Sequence, residues 1–381
     1  MNINESIVFD LNFSINTKTA FEFVTVDPKK LNITQQIIGS PHNVITVYIE
    51  KYVIPIICLL GLIGNTLSSI VFLRKPIRNS SCSIFLCARG FSDNGFLSTL
   101  LIIWISRTFQ LRLGEVQNSC QIIIFLTYVC GCTSVWLVVF VTVENYIRIC
   151  RPFIVNRVCT TKIAKVVVGI LWFVTLCIYN FPFWTMSPDT CVLYGRFHNT
   201  VQVFVYADTF LTLVVPIICI TLVMIAIVCS LLKSYNRRSR LRAPTAKRIK
   251  NPMAKVTKML FAVTVTFICL NLPSHINRLR IMISSILEAE RQQGQYSSRE
   301  EMIQQITLLV SYLSLTINLL VYVTFGSRFR KVLKDMFHIP EFCLKSANES
   351  NGGYSQELIP IINNLRKSEN QSQSVDMTSF E

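Results

Sequence analysis

Seven long apolar stretches alternate with polar segments along this chain of 381 residues. A bilayer core about 30 Å thick needs about 20 predominantly apolar residues for each helix that crosses it. The stretches reach that length, and they lie near positions 50–73, 82–106, 119–149, 163–184, 200–232, 255–286 and 302–325. The pattern predicts an all-α membrane protein, a bundle of seven transmembrane helices that we call spans one to seven.

Basic residues are concentrated in the segments after spans one, three, five and seven. These segments are 74–78, 148–162, 233–258 and 328–334. Because Lys and Arg are enriched in cytosolic loops, we expect a multi-pass plasma-membrane protein with an extracellular N-terminus and a cytoplasmic C-terminus. The formal net charge of +16 then reflects topology and contact with anionic lipids at the inner leaflet. A nucleic-acid partner is not expected.

The segment before the spans carries glycosylation motifs. Residues 1–47 contain Asn-x-Ser/Thr sequons at Asn4, Asn12 and Asn32. We therefore expect an extracellular, glycosylated N-terminal segment, followed by the seven spans within residues 48–326.

The segment after the spans divides into two parts. Apolar residues recur with helical spacing within 327–340, which predicts an amphipathic eighth helix on the inner leaflet. Residues 341–381 are polar and are predicted to form a disordered cytoplasmic tail. Cys343, at the start of this tail, is a candidate for palmitoylation.

Fourteen cysteines suggest a disulfide-rich protein until they are placed along the spans. Ten lie inside spans or at their cytosolic ends, and only Cys120 and Cys191 lie on the predicted outer side. The oxidising side of the membrane therefore offers one pairing, Cys120 with Cys191, which ties the second outer loop to the start of span three. No spacing of cysteines and histidines resembles a zinc site, so no metal or other cofactor is expected.

Charged residues inside span two need an explanation, because an Asp or Arg at a helix centre costs roughly 2.5–3.5 kcal/mol on insertion. We expect Asp93 to face the bundle interior, surrounded by Ser134, Ser314 and Asn318. Arg89 lies one turn away on the same face and is placed to form an ion pair with Asp93. Two interpretations remain open: a sodium- or proton-sensitive switch, or a polar cluster that joins the helices.

Residues on all seven spans, at compatible spacing, carry a resemblance to a known family. They are Gly64-Asn65, Asp93, Cys120, Glu144-Asn145-Tyr146, Trp172, Cys191, Pro216, Pro273 and the run from Asn318 to Tyr322. Together they resemble rhodopsin-like (class A) G-protein-coupled receptors over about residues 45–340. The resemblance implies a receptor that binds an extracellular ligand and signals to a heterotrimeric G protein. An enzyme is not expected, because no nucleophile–base or metal constellation is present.

Four positions depart from the family pattern. Asn145 stands where the family has Arg, Asn271 where it has Trp, Leu319 where it has Pro, and Met224 where it has Tyr. The replacement by Leu319, and the run from Asn271 to His275, resemble invertebrate neuropeptide receptors of the FMRFamide and myosuppressin type.

The resemblance also predicts a G-protein-coupling set. Its members are Glu144, Asn145, Tyr146, Arg148 and Tyr322. One hypothesis is that Arg89 or Arg148 partly replaces the cation lost at Asn145. A second is that Glu144 restrains the resting state by pairing with Lys255 or Arg148.

Residues in the outer half of the bundle indicate which class of ligand is expected. Amine receptors carry an Asp at the position of Thr127, and opsins carry a Lys at the position of Tyr312, so neither an amine nor retinal is expected. Other polar residues are placed to complete a mixed-charge cavity: Trp104, Tyr128, Asp208, Asn271, His275, Arg278 and Gln305. A short, amidated neuropeptide fits best. His275 and Gln305 alternatively only bond neighbouring helices, and a chemosensory receptor for environmental small molecules or a non-signalling decoy remains open on the same fold.

Overall fold

The computed structural model describes residues 48–111, 116–240, 252–288 and 298–337. The predicted glycosylation sites at Asn4, Asn12 and Asn32, the candidate palmitoylation site Cys343 and the predicted tail lie outside these residues. The bundle belongs to the part of the chain that ends at Arg330. Of the segment from Lys331 onward, only the last residues of one helix are described.

Each of the seven predicted spans is helical. The helices are Ile54–Leu73 in span one, Ser81–Thr108 in span two, Ser119–Cys150 in span three, Thr161–Ile178 in span four, His198–Thr209 and Val215–Arg240 in span five, Pro252–Glu288 in span six, and Ser298–Thr316 and Asn318–Phe325 in span seven. A further helix, Ser327–Phe337, follows. Helices satisfy every backbone hydrogen bond within one segment, as the bilayer interior requires. The predicted all-α bundle is confirmed.

Six of the spans are long and apolar enough to cross a membrane, if the two bent halves of span seven count as one. Span two is long enough at 28 residues, but polar residues, including Arg89 and Asp93, lower its hydropathy. These residues are buried, and the helix packs against spans one, three and four. The polar character of span two is therefore directed into the bundle.

The outer surface of the bundle differs from that of a water-soluble protein, because it is largely apolar. Large apolar side chains point outward, among them Ile63, Phe173, Val203 and Leu222. The interior is mainly apolar but also contains Asn65, Arg89, Asp93, Glu144 and Asp208. Because charged groups are costly in hydrocarbon, this distribution fits a bundle whose apolar exterior contacts lipid and whose interior contains the functional polar groups.

The predicted disulfide is present. Cys120 and Cys191 are bonded, with their Cα atoms 5.9 Å apart. The side-chain amide of Gln121 donates to the carbonyl of Met186 at 2.7 Å, and Met186 forms an antiparallel bridge with Leu193. These contacts fix the loop against the start of span three. We call this end of the bundle the disulfide end, and the end at Ser81 and Cys150 the basic end.

Span seven is bent by 47° between its two helices, although it lacks the family's proline. The carbonyl of Leu315, just before the bend, accepts hydrogen bonds from the side-chain amides of Asn65 at 3.0 Å and Asn318 at 3.2 Å. Side chains that bond to helix carbonyls are a known cause of kinks. Two asparagines therefore support a bend at the place where Leu319 replaces proline.

Span five is interrupted as well. A π-helical turn, Phe210–Val214, separates its two helices, and such turns are frequent near functional sites. The indole of Trp136 on span three donates to the carbonyl of Leu211 in this turn at 3.1 Å. The interruption is thus tied to span three, next to Asp208 and Thr212.

The disulfide generates a stability prediction. Changing Cys120 and Cys191 to Ala, singly or together, should lower stability by about 2–5 kcal/mol, because the loop is no longer linked to span three. The three variants should lose similar amounts of cell-surface receptor and melt at similarly reduced temperatures after solubilisation. Cys177→Ala, at an exposed free cysteine, is the control. A parent-like melting temperature for the double variant would contradict the prediction.

Candidate functional site

A cavity of about 220 Å³ lies among spans two, three, five, six and seven. Thr127 and Tyr128 in its wall lie about two helical turns from Cys120 on span three, so the cavity belongs to the disulfide end. Most of its wall is apolar, with a few polar side chains, as in typical ligand sites. The predicted residues that line it are Thr127, Tyr128, Ser134, Asp208, Asn271, His275, Arg278 and Tyr312.

Two residues expected in this wall lie elsewhere. Trp104 is not among the described lining residues, and its indole donates to the carbonyl of Lys51 at 3.2 Å. Gln305 is also absent from the wall, where Gln304 contributes instead. Helical spacing does not determine how span seven is rotated about its axis to within one residue. Gln304 therefore lines the cavity where the sequence predicts Gln305.

Asp208 on span five is the only carboxylate among the described residues of the cavity wall, and both of its oxygens are bonded. Arg278 on span six donates to one oxygen at 2.8 Å, and the hydroxyl of Tyr179 on span four donates to the other at 2.6 Å. Sequence reasoning placed Asp208 and Arg278 in the same cavity but treated them as separate ligand contacts. Tyr179 was not predicted, although its position at the end of an apolar span was a hint of a polar partner.

The aromatic ring of Tyr128 stacks on Tyr179 with their centroids 5.4 Å apart. The Tyr128 hydroxyl is enclosed and has no hydrogen-bond partner among the described residues, and the same holds for Nε of Arg278. Both residues line the cavity. Two lining side chains therefore each have an enclosed donor that finds no acceptor in the described part of the chain.

Asn271 joins spans six and seven. Its side-chain amide donates to the carbonyl of Phe267 at 2.9 Å and to the hydroxyl of Ser314 at 2.7 Å. Its side-chain oxygen accepts a hydrogen bond from Ser311 at 2.7 Å. Ser314, expected beside Asp93, is bonded to Asn271 instead. Ser311 was not predicted, though Ser311, Ser314 and Asn318 follow i, i+3, i+7 along one helical face.

Asp93 faces the bundle interior, as predicted. Ser134 on span three donates to one carboxylate oxygen, and Asn318 on span seven donates to the other at 2.8 Å. Nε of Arg89 lies 3.6 Å from the second oxygen, and the two side chains are 1% and 0% exposed. Spans two, three and seven therefore meet at one neutralised acid–base pair.

Arg89 lies beyond Asp93 toward the basic end. Its guanidinium is 5.9 Å from the ring of Phe267 on span six, and it interacts with the hydroxyl of Tyr322 on span seven. Nε and Nη1 have no hydrogen-bond partner among the described residues. This cation is thus held by the charge of Asp93, the ring of Phe267 and the hydroxyl of Tyr322.

At the basic end, Glu144 is bound within spans two and three. Arg148 forms an ion pair with Glu144, and its Nε donates to the same carboxylate oxygen at 3.0 Å. Ser81 at the start of span two also donates to this oxygen, at 2.6 Å, and accepts from Arg148 at 3.2 Å. Of the two predicted partners of Glu144, Arg148 makes the contact, whereas the side chain of Lys255 lies outside the described part of the chain.

The remaining residues of the coupling set have other surroundings. Asn145 is fully buried, and neither polar atom of its side chain has a partner among the described residues. Tyr146 packs against the apolar contact between spans three and five. Tyr322 is buried beside Phe72 and Phe329, with ring centroids 5.0 and 5.6 Å away.

A bundle of membrane-crossing helices, with a disulfide-tied loop and a cavity at one end, defines a multi-pass helical membrane protein with a candidate ligand site. A family model described as "7 transmembrane receptor (rhodopsin family)" matches residues 64–322. The chain belongs to this family. Membership confirms the predicted class and confirms that the protein is a receptor and not an enzyme.

Several known receptors are similar to this chain. The FMRFamide peptide receptor frpr-18 of Caenorhabditis elegans is 29% identical over 132 residues, 33% of this chain and 30% of that protein. The FMRFamide receptor of Drosophila melanogaster is 22% identical over 339 residues, 82% of this chain and 58% of that protein. C-C chemokine receptor type 1 of Homo sapiens is 21% identical over 289 residues, 74% of this chain and 78% of that protein. The chain thus spans less than two thirds of the two FMRFamide receptors.

The Arg89–Asp93 pair generates a prediction on stability. Arg89→Met and Asp93→Asn should each lower the melting temperature of the solubilised receptor, because removing one partner of a buried pair costs about 3–5 kcal/mol. The double variant should lose less than the sum of the two single losses, by about 0.5–3 kcal/mol. Arg78→Met, at an exposed basic residue, is the control. Strictly additive losses would show that the two charges do not interact.

Proposed function

We propose that this receptor binds a short extracellular peptide at the cavity of the disulfide end and activates a heterotrimeric G protein at the basic end. The observation that carries the proposal is the cavity wall. The positions of an amine anchor and a retinal anchor are Thr127 and Tyr312, and both line the cavity. These residues do not favour an amine or retinal ligand. The other polar side chains of the wall can form hydrogen bonds with a peptide.

The membrane orientation is part of the proposal. Disulfides persist on the oxidising side of a membrane, so the end with Cys120 and Cys191 is extracellular. The opposite end carries the basic segments after spans one, three and seven, in agreement with the rule that Lys and Arg stay cytosolic. The plasma membrane is the location at which such a receptor meets an extracellular peptide.

The relatives support a peptide ligand. Two of them are named for FMRFamide, and one is named a peptide receptor. By analogy, the ligand of this chain is a short peptide with an amidated carboxyl end. Arg278, His275 and Tyr128 supply polar contacts in the cavity, and the wider apolar wall accepts side chains of the peptide.

The basic end is the proposed coupling surface. Glu144 is paired with Arg148 rather than with a residue of span six in the described part of the chain. Arg328 and Arg330, at the start of the last described helix, add positive charge suited to anionic lipids. We propose that Glu144, held by Arg148 on its own helix and by Ser81 at the start of span two, restrains the resting receptor in place of the family's usual inter-helix ion pair.

A screen of short peptides tests the proposed function. Cells that express the chain with a promiscuous G protein are exposed to a library of amidated peptides, and intracellular calcium is recorded. Surface staining confirms expression, and cells without the receptor are the control. At least one peptide should produce a saturable response.

Other outcomes separate the alternatives. Peptide binding without stimulated nucleotide exchange indicates a decoy receptor. Absence of both binding and response across the library, despite surface expression, overturns the peptide proposal in favour of a chemosensory ligand.

The proposed restraint at Glu144 predicts altered resting activity. Glu144→Gln should raise basal nucleotide exchange about five-fold, the population shift that a loss of about 1 kcal/mol of restraint produces. Arg148→Gln should have the same effect, because it removes the other partner. Arg151→Gln, at an exposed arginine three residues further on, should leave basal exchange unchanged. Basal exchange equal to the parent in both the Glu144 and Arg148 variants argues against the restraint.

A further inference from the structure

Asp93 lies directly behind the wall of the cavity at the disulfide end. Ser134 lines that cavity, and its hydroxyl donates to one carboxylate oxygen of Asp93. The carboxylate itself is fully enclosed. A small cation that entered the cavity would therefore find a buried negative charge behind a single hydroxyl-bearing side chain. Acids in this position inside a membrane commonly mark a cation site.

The groups around Asp93 do not form a coordination shell for a sodium ion. A hard cation in a protein is held by several oxygen ligands. In the described part of the chain, the Ser134 hydroxyl directs its proton at one carboxylate oxygen, and the side-chain amide nitrogen of Asn318 donates to the other at 2.8 Å. Both oxygens of the acid are thus already engaged by neutral donors, and a donating nitrogen does not coordinate a cation.

Arg89 supplies the positive charge that Asp93 needs. Its Nε lies 3.6 Å from the carboxylate oxygen that accepts from Asn318, one helical turn before Asp93 on the same span. A sodium ion bound to Asp93 would lie close to this guanidinium, and like charges at short range repel strongly in an interior of low dielectric constant. The residues present therefore do not fit a bound sodium ion.

The surroundings of Arg89 keep it beside Asp93. Its side chain is 1% exposed. The ring of Phe267 on span six lies 5.9 Å from its guanidinium carbon, and the hydroxyl of Tyr322 on span seven interacts with it. Neither aromatic residue carries a negative charge at neutral pH. Because separating a buried ion pair leaves two uncompensated charges, the guanidinium stays with Asp93 while the bundle is folded.

We infer that the guanidinium of Arg89 is a built-in replacement for an exchangeable cation at Asp93. The receptor does not bind sodium there, and its stability does not depend on which monovalent cation is in solution. Of the interpretations that the sequence leaves open for Asp93, the geometry supports the polar cluster that joins the helices and not the sodium-sensitive switch. The inference does not depend on the proposed peptide ligand.

Thermal melting of the solubilised parent receptor tests whether sodium binds. The melting temperature is measured in sodium chloride, in potassium chloride and in N-methyl-D-glucamine chloride at equal concentrations, so that ionic strength is constant. The three melting temperatures should coincide at every concentration, because a cation that binds the folded state raises the melting temperature as its concentration increases. A saturable rise specific to sodium in the parent, absent from Asp93→Asn, overturns the inference.

Removal of the guanidinium tests whether Arg89 holds the place of a cation. Arg89→Met leaves the Asp93 carboxylate without its charged partner, so sodium should raise the melting temperature of this variant by at least about 2 °C relative to N-methyl-D-glucamine. The rise should disappear when Asp93→Asn is added to Arg89→Met. Arg89→Lys keeps a cation on the same turn and is the matched control, which should melt at one temperature in all three salts.

Each outcome decides for or against the inference without any ligand. Equal melting of folded Arg89→Met in all three salts shows that the guanidinium does not hold the place of a cation, and overturns the inference. If Arg89→Met yields no folded receptor, the parent and Arg89→Lys decide. A sodium-specific rise in either of them overturns the inference, and coincident melting in both supports it. A failed peptide screen affects only the proposed function.

Discussion

A charge inside a membrane must be neutralised by the protein, and the Arg89–Asp93 pair is where this constraint organises the bundle. Both side chains are enclosed, so each depends on the other and on hydrogen bonds from Ser134 and Asn318. Spans two, three and seven cannot move apart without exposing an unpaired charge to hydrocarbon. The positive partner comes from the chain itself, so the acid does not need an external cation to be neutral.

Other polar contacts also join pairs of spans along the bundle. Asp208 and Arg278 join spans five and six near the disulfide end, Asn271 joins spans six and seven, and Glu144 joins spans two and three through Ser81 at the basic end. Between them, helices meet through apolar packing, which by itself distinguishes poorly between helix and lipid. The polar links therefore specify which helices are neighbours, while the outer apolar faces specify only that the bundle lies in a membrane.

The sequence predicts those structural features that depend on a single helix or on a large energetic cost. Span positions follow from apolar length, the inward direction of Asp93 from the cost of a buried charge, and the Cys120–Cys191 bond from compartment. Contacts that depend on how two helices are oriented about their axes are harder to predict from the sequence. The sequence predicts Ser314 beside Asp93, whereas Ser314 bonds Asn271, and it does not show that Asp208 and Arg278 form a pair. The π turn at Phe210–Val214 and the bend of span seven depend on tertiary contacts, which periodicity does not contain.

The bend of span seven differs in kind from a proline kink. A proline ring removes a backbone donor permanently, so the resulting angle is a property of the covalent chain. Here the carbonyl at the bend is held by the amides of Asn65 and Asn318, and the same Asn318 amide donates to Asp93. The angle of span seven is thus supported by side-chain hydrogen bonds and not by a covalent ring. The amide of Asn318 takes part both in this support and in the contact with Asp93, so the position of one side chain links the polar centre on span two to the curvature of span seven.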